Sequence, residues 1–283
     1  MCCPWQNHYP RFLYNYPMRP LKTLVITAFL LPVMIFAGCG NAALSTTQTT
    51  QVTTGATDIS NTKYKQMTGK VVVFGTSIWA IDPGPTGIAA RLREMTSFEV
   101  TDNTVMGGTA TRVEDDPLVE GSLISILLYN DDKYSKRMRE DVKEADYVIL
   151  AFGGNDYSRG VPPTGEGNSF ENAMRLGIST VREMNPDANI ILIPSLGGWA
   201  LIDGEYVSPF ELDFGGGTLG EYIRIVEEIA QEEDFLCVNM NEVIVFSEDE
   251  PLKFFEDGSH LTEYGRLVYA QYLTEQIYDH YYS

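Results

Sequence analysis

Short, unbroken apolar runs separated by helical patterns restrict this chain more than any other feature. Val71-Val72-Val73-Phe74 ends at Gly75, Tyr147 to Phe152 ends at Gly153, and Ile190 to Ile193 ends at Pro194. Phe98 to Val105 is a weaker fourth run, and Phe235-Leu236-Cys237-Val238 a fifth. Runs of this length without alternation suit strands buried on both faces, as in a parallel sheet covered by helices. Between them, Thr86 can cap a helix with Ile88, Leu92 and Met95 on one face. Other helices start near Pro117, Tyr134, Ser169, Thr218 and Thr262, the last with Leu267, Ala270, Leu273 and Ile277 at helical spacing. The alternation predicts an α/β chain with a doubly wound, mostly five-stranded parallel sheet, helices on both faces and right-handed crossovers. The Gly-rich insert from Leu196 to Gly217, with Asp203-Gly204 as a hairpin turn, is expected to form part of a substrate wall.

Ligands of such a sheet bind beyond the carboxyl ends of its strands. Ser77, Gly108 and Asn155 each follow an expected strand, which puts them on that edge. They sit in Gly75-Thr76-Ser77-Ile78, Gly107-Gly108-Thr109 and Gly153-Gly154-Asn155-Asp156, and a fourth piece, Asp257-Gly258-Ser259-His260, lies near the end of the chain. A serine hydroxyl is a poor nucleophile until a base takes its proton. His260 is the persuasive base, because His8 precedes the apolar leader and His280 lies near the terminus. Asp257 can hold the far imidazole nitrogen and fix its tautomer. Three histidines so dispersed argue against a zinc site, which usually needs two or three together; neither a metal nor a cofactor is expected. Trp79 stands where a Gly-x-Ser-x-Gly elbow would need its last glycine, and no Gly-x-Gly-x-x-Gly fingerprint follows the first strand.

Taken together, the four pieces resemble the blocks of the SGNH (GDSL-type) hydrolases, serine esterases and acyl hydrolases, over roughly residues 68 to 283. The resemblance implies the flavodoxin-like SGNH hydrolase fold. It implies Ser77 as nucleophile, His260 as base and Asp257 as its orienting acid. It also implies an oxyanion hole from the N–H of Ser77, the N–H of Gly108 and the side-chain amide of Asn155. Gly107 remains an alternative to Gly108, and Asp156 is expected to support its loop. Thr76 stands where the family usually has Asp, a departure that touches local support more than the triad.

The first 38 residues carry different logic. Arg19 and Lys22 precede an apolar run from Leu24 to Ala37, broken by Thr27 and Pro32 and ending in Ala37-Gly38-Cys39. A basic region, an apolar stretch too short to span a bilayer and a small-residue site read as a signal peptide over 1–38. Met18 is a candidate start. The cysteine after Ala-Gly resembles the lipobox of bacterial lipoproteins, with Phe36 where an aliphatic residue is usual. Cys39 is then the lipidation site and 39–67 a Ser/Thr-rich flexible tether to the hydrolase domain at 68–283. Loss of Cys2 and Cys3 with the signal would leave Cys237 without a disulfide partner, a buried strand residue.

The formal charge is −19, and removing the three basic residues before Gly38 leaves −22 on the remainder. Nucleic-acid binding needs basic patches and is excluded; docking on anionic lipid by charge is disfavoured. The sequence reading is an extracellular, membrane-anchored serine esterase acting on short acyl esters of carbohydrate. Trp79, Trp199, Tyr157 and Tyr206 are candidates for stacking on sugar. The alternatives are lipase, thioesterase or lysophospholipase activity on longer chains, and a glycan-binding surface lipoprotein without turnover.

Overall fold

The computed structural model describes residues 62–283. The signal segment, Cys39 and nearly all of the tether lie outside the described residues. The apolar runs become strands β1 (Thr68–Gly75), β2 (Ser97–Asp102), β3 (Tyr147–Ala151) and β4 (Asn189–Leu192). A three-residue pair, β5 (Ala200–Ile202) and β6 (Glu205–Val207), precedes the short β7 (Leu236–Cys237). The main sheet has the order β2-β1-β3-β4-β7 with every pair parallel. Counted along these five strands it is the 2-1-3-4-5 order of flavodoxin-like folds, whose crevice opens where the chain reverses its direction of winding. That switch point lies between β1 and β3.

Helices α1 (Ser77–Ala80), α2 (Ile88–Met95), α3 (Lys133–Lys143), α4 (Gly154–Ser158), α5 (Phe170–Met184), α6 (Leu219–Glu233) and α7 (Glu263–Tyr281) complete the fold. Alternate residues of each strand serve opposite cores. Val72, Phe74, Val148, Leu150, Ile190 and Leu192 pack under α5 and α6. Val71, Val73, Ile149 and Ile191 pack under α2 and α7. Both sets are buried, so the strands read as continuous apolar runs rather than alternating ones.

Caps follow the sequence in most places. Asp132 accepts from Tyr134 and Ser135 at the start of α3, Ser169 from Asn172, and Thr262 from Gly265. Thr218 and Glu221 form a capping box ahead of α6. Three expectations need correction. Thr86 does not cap α2: Gly87 holds the cap position and the Thr86 hydroxyl turns back to Asp82 at 2.5 Å. The stretch from Pro117 makes a single 3-10 turn at Val119–Gly121 and a π turn at Ser125–Tyr129 instead of an α-helix. Its Leu123 and Ile124 N–H groups bond to the carbonyls of Thr109 and Ala110, which diverts the backbone from a helical path. Cys237 is half-buried at the sheet's edge strand, although its surroundings still push the thiol up to about 12, chiefly by desolvation. The hairpin turn in the insert forms as read: β5 and β6 pair antiparallel around Asp203-Gly204, both at positive φ.

Candidate active site

Register brings the site together. Gly75, the last residue of β1, pairs with Ala151, the last of β3, so the two chains leave the sheet side by side at the switch point. After β1, Thr76 stays extended and Ser77 opens the one-turn α1. Trp79 anchors this turn from below. Its ring is buried, meets Tyr269 of α7 edge-on at 5.7 Å, and its Nε1 donates to the Tyr269 hydroxyl at 3.1 Å. With its neighbour fixed in the core, Ser77 is held half-buried over the sheet edge.

The His260 ring arrives from the far end of the chain. Phe255 and Leu261 bridge antiparallel, and the Glu256 N–H bonds the His260 carbonyl at 2.8 Å, closing a small loop before α7. Inside it, Asp257 Oδ1 accepts the N–H groups of Ser259 at 3.0 Å and His260 at 2.8 Å. Its other oxygen lies 2.7 Å from His260 Nδ1. The imidazole contact, with the two backbone N–H donors, holds the Asp257 carboxyl down at about 2 against partial desolvation. Gly258 cannot be replaced cheaply in this loop: its φ is +86°, and a Cβ would stand 2.1 Å from the Trp199 carbonyl. On the opposite side of the ring, His260 Nε2 lies 3.0 Å from Ser77 Oγ. One line of contacts therefore runs from carboxylate through imidazole to hydroxyl, joining residues 183 positions apart.

Around the hydroxyl, the expected donors differ in availability. Among the described residues the Ser77 N–H meets no protein acceptor. Asn155, in the first turn of α4, spends one Nδ2 hydrogen on the Gly108 carbonyl at 2.8 Å, leaving the second. Gly108 is buried, and its N–H closes a turn on the Val105 carbonyl at 3.0 Å, with Gly107 at φ +71° as the turn's glycine. That hydrogen reaches an oxyanion only by being shared, in the three-centre manner common where donors are crowded. Asp156 is fully buried and accepts the N–H groups of Ala110 and Thr111, both at 3.0 Å. Burial raises its carboxyl while those two donors pull the other way. Arg159 and Asp116, an ion pair beneath the same loop, carried no signal in the sequence: an arginine at a helix end reads as a solvated cap.

A cavity of about 20 Å³ lies beside the Ser77 turn, lined by Thr76, Ile78, Trp79, Phe152, Gly154 and Tyr269 among others, but not by Ser77 or His260 themselves. Outside, the backbone N–H of Trp199 donates to the Gly258 carbonyl at 2.9 Å and its indole N–H to the Pro251 carbonyl at 3.1 Å, which fastens the insert to the histidine loop. Tyr206 and Phe246 pack with Trp199 at 5.0 and 6.4 Å. Tyr157 is buried, and Trp79 serves the core, so neither is offered to a ligand surface. Among the described residues no group of three metal-ligating side chains occurs, and no helix is long and apolar enough to cross a membrane.

Ser77, His260 and Asp257 lie in one line of contacts on the ligand edge of a flavodoxin-like sheet, and the class is a serine hydrolase acting on ester bonds. The sequence matches the GDSL-like lipase/acylhydrolase family from residue 71 to 267, and the chain belongs to that family. No curated protein matches the sequence. Solved structures share the fold. A possible lipase from Chitinophaga pinensis is 16% identical with a TM-score of 0.53, covering 75% of this chain and 98% of its own. A carbohydrate acetylesterase from Sinorhizobium meliloti is 14% identical with a TM-score of 0.53, covering 75% and 99%. An acetyl xylan esterase is 18% identical with a TM-score of 0.50, covering 74% and 99%.

Proposed function

We propose that this chain is a membrane-anchored extracellular esterase that removes short acyl groups, acetyl above all, from carbohydrate. The observation that carries the chemistry is the 3.0 Å contact of Ser77 Oγ with His260 Nε2, backed by Asp257 at 2.7 Å on the far nitrogen. Ser77 attacks the ester carbonyl while His260 takes its proton. Asp257 keeps the ring in the tautomer whose Nε2 can accept. The tetrahedral oxyanion is met by the Ser77 N–H, the free Nδ2 hydrogen of Asn155 and the shared Gly108 N–H. Collapse expels the alcohol, which leaves with the proton on His260. Water, deprotonated by the same imidazole, then releases the acid and restores Ser77.

The acyl preference is drawn from two proteins of similar fold, an acetyl xylan esterase and a carbohydrate acetylesterase. The carbohydrate preference is supported by Trp199 and Tyr206, aromatic side chains fixed directly beside the histidine loop. Anchoring is supported by Ala37-Gly38-Cys39 behind an apolar run.

A fluorophosphonate probe followed by peptide mapping should label Ser77 in wild type and nothing in Ser77→Ala. A series of aryl esters should then show kcat/KM highest for acetate and falling steadily from butyrate to octanoate, with acetate released from acetylated xylan. Equal rates on octanoate would refute the short-acyl reading, and near-full activity in Ser77→Ala would refute the serine mechanism.

A further inference from the structure

The one-turn α4 reaches across to the loop of residues 104–111 at several points. Two of these, from Asn155 and Asp156, are described above. The remaining one is a buried guanidinium. Arg159, directly after α4, donates from one nitrogen to the Gly107 carbonyl at 2.9 Å and from another to the Asn155 carbonyl at 3.3 Å. Its Nε pairs with the Asp116 carboxylate, and the side chains are only 12% and 9% exposed. Buried charges persist where they are paired and hydrogen-bonded, and this pair spends its donors on carbonyls of the two segments that bear the expected oxyanion donors.

The Gly107 carbonyl belongs to the same planar peptide as the Gly108 N–H, so fixing the oxygen aims the hydrogen. Without that contact, rotation of this peptide meets little steric resistance, since both of its flanking residues are glycine. A flipped peptide would turn a carbonyl oxygen toward the developing negative charge in place of a hydrogen.

We propose that Arg159, held by Asp116, is a positioning residue for the oxyanion site: it locks the plane of the Gly107–Gly108 peptide and steadies the turn that carries Asn155. The inference rests on the reading of Ser77 as nucleophile. Charge on the guanidinium also draws electron density from the Gly107 carbonyl and strengthens the opposite N–H as a donor. The stabilised species exists only in the transition state, so the effect belongs in kcat rather than KM.

The test compares Arg159→Met, Arg159→Lys and the double variant Asp116→Asn/Arg159→Met with wild type and Ser77→Ala, on an aryl acetate. Circular dichroism and thermal unfolding are recorded for each. Arg159→Met should lower kcat about 10- to 10²-fold, a fraction of the loss for a deleted donor, with KM within about twofold. Arg159→Lys should recover part of it, and added guanidinium ion should partly rescue Arg159→Met. The double variant removes both buried charges, so it should regain thermal stability while staying as slow as Arg159→Met. If Arg159→Met fails to fold, Arg159→Lys and the double variant decide. Folded variants with kcat within twofold of wild type, a double variant whose kcat returns with its stability, or a change confined to KM would each overturn the proposal while leaving the nucleophile intact. Activity persisting in Ser77→Ala would instead remove the reading on which it rests.

Discussion

Replacing Asp257 by asparagine separates the electrostatic role of this carboxylate from its structural one. Oδ1 accepts from Ser259 and His260 N–H groups at 3.0 and 2.8 Å, and an asparagine oxygen can keep both. The side-chain amide would then face His260 Nδ1, where Oδ2 now stands at 2.7 Å. An amide donates there, so Nδ1 must be the unprotonated nitrogen and Nε2 carries the hydrogen. A protonated Nε2 cannot take a proton from Ser77 Oγ, 3.0 Å away. In a serine protease the same exchange costs about 10⁴ in kcat. Here the Asp257 side chain is 57% exposed, so water competes for Nδ1, and a loss on the order of 10³, about 4 kcal/mol of barrier, follows.

Asp257→Ala behaves differently. Water can accept from Nδ1–H in place of the carboxylate, so the useful tautomer survives, and kcat should fall less than in Asp257→Asn. Yet alanine abandons both backbone N–H groups, at about 1 kcal/mol after discounting for exposure. That corresponds to roughly 2–4 °C of melting temperature for a domain of this size. The two variants should therefore rank in opposite orders: asparagine the more stable, alanine the more active. Steady-state kinetics on an aryl acetate and thermal unfolding measure both. An asparagine variant as fast as wild type, or faster than the alanine variant with both folded, would refute the tautomer argument.

Asn155→Ala should cost on the order of 10²–10³ in kcat with little change in KM, as for one lost oxyanion donor; a loss confined to KM would contradict that role. Gly258→Ala should displace the histidine loop, because its Cβ would stand 2.1 Å from the Trp199 carbonyl at a φ of +86°; the expected readout is loss of fluorophosphonate labelling with far-ultraviolet circular dichroism retained. The Asp257 carboxyl is held at about 2, below its unfolded value near 3.9. Its stabilising contribution is thus complete above about pH 4 and lost as pH falls toward 2, so the melting-temperature gap between wild type and Asp257→Asn should narrow over that window. Cys39→Ser should move the protein from the membrane fraction to the soluble fraction; unchanged retention would remove the lipid anchor.

What could be read in advance was whatever a strand end dictates. Val71 to Gly75 and Tyr147 to Ala151 are uniformly buried, so their apolar runs mark both the strands and their exits, and Ser77 and Asn155 follow those exits within four residues. Loops that answer to distant partners were not legible. Thr86 has the chemistry of a cap, but Asp82 lies within reach of its hydroxyl and competes for it. The stretch after Pro117 has helical spacing, yet its N–H groups are claimed by Thr109 and Ala110. Arg159 and Asp116 are 43 positions apart in unrelated segments, and neither residue type announces burial.

The site's economy of parts follows from register. Side chains on a strand alternate faces, so slipping β1 by one residue against β3 would exchange its two buried sets and carry Ser77 to a different height and side. Gly75 pairing with Ala151 therefore fixes Ser77 relative to α4 before any side chain of the site makes contact. His260 has no such support from the sheet. Its position rests on a small loop closed by Phe255 and Leu261, braced by Trp199 and by Arg266 of α7, which bonds the Leu261 carbonyl and pairs with Asp82. Ser77 and Asn155 thus follow the ends of paired strands, whereas His260 belongs to a loop held by a few contacts. Substitutions in those braces should alter the His260–Ser77 distance while leaving the Ser77 turn unchanged.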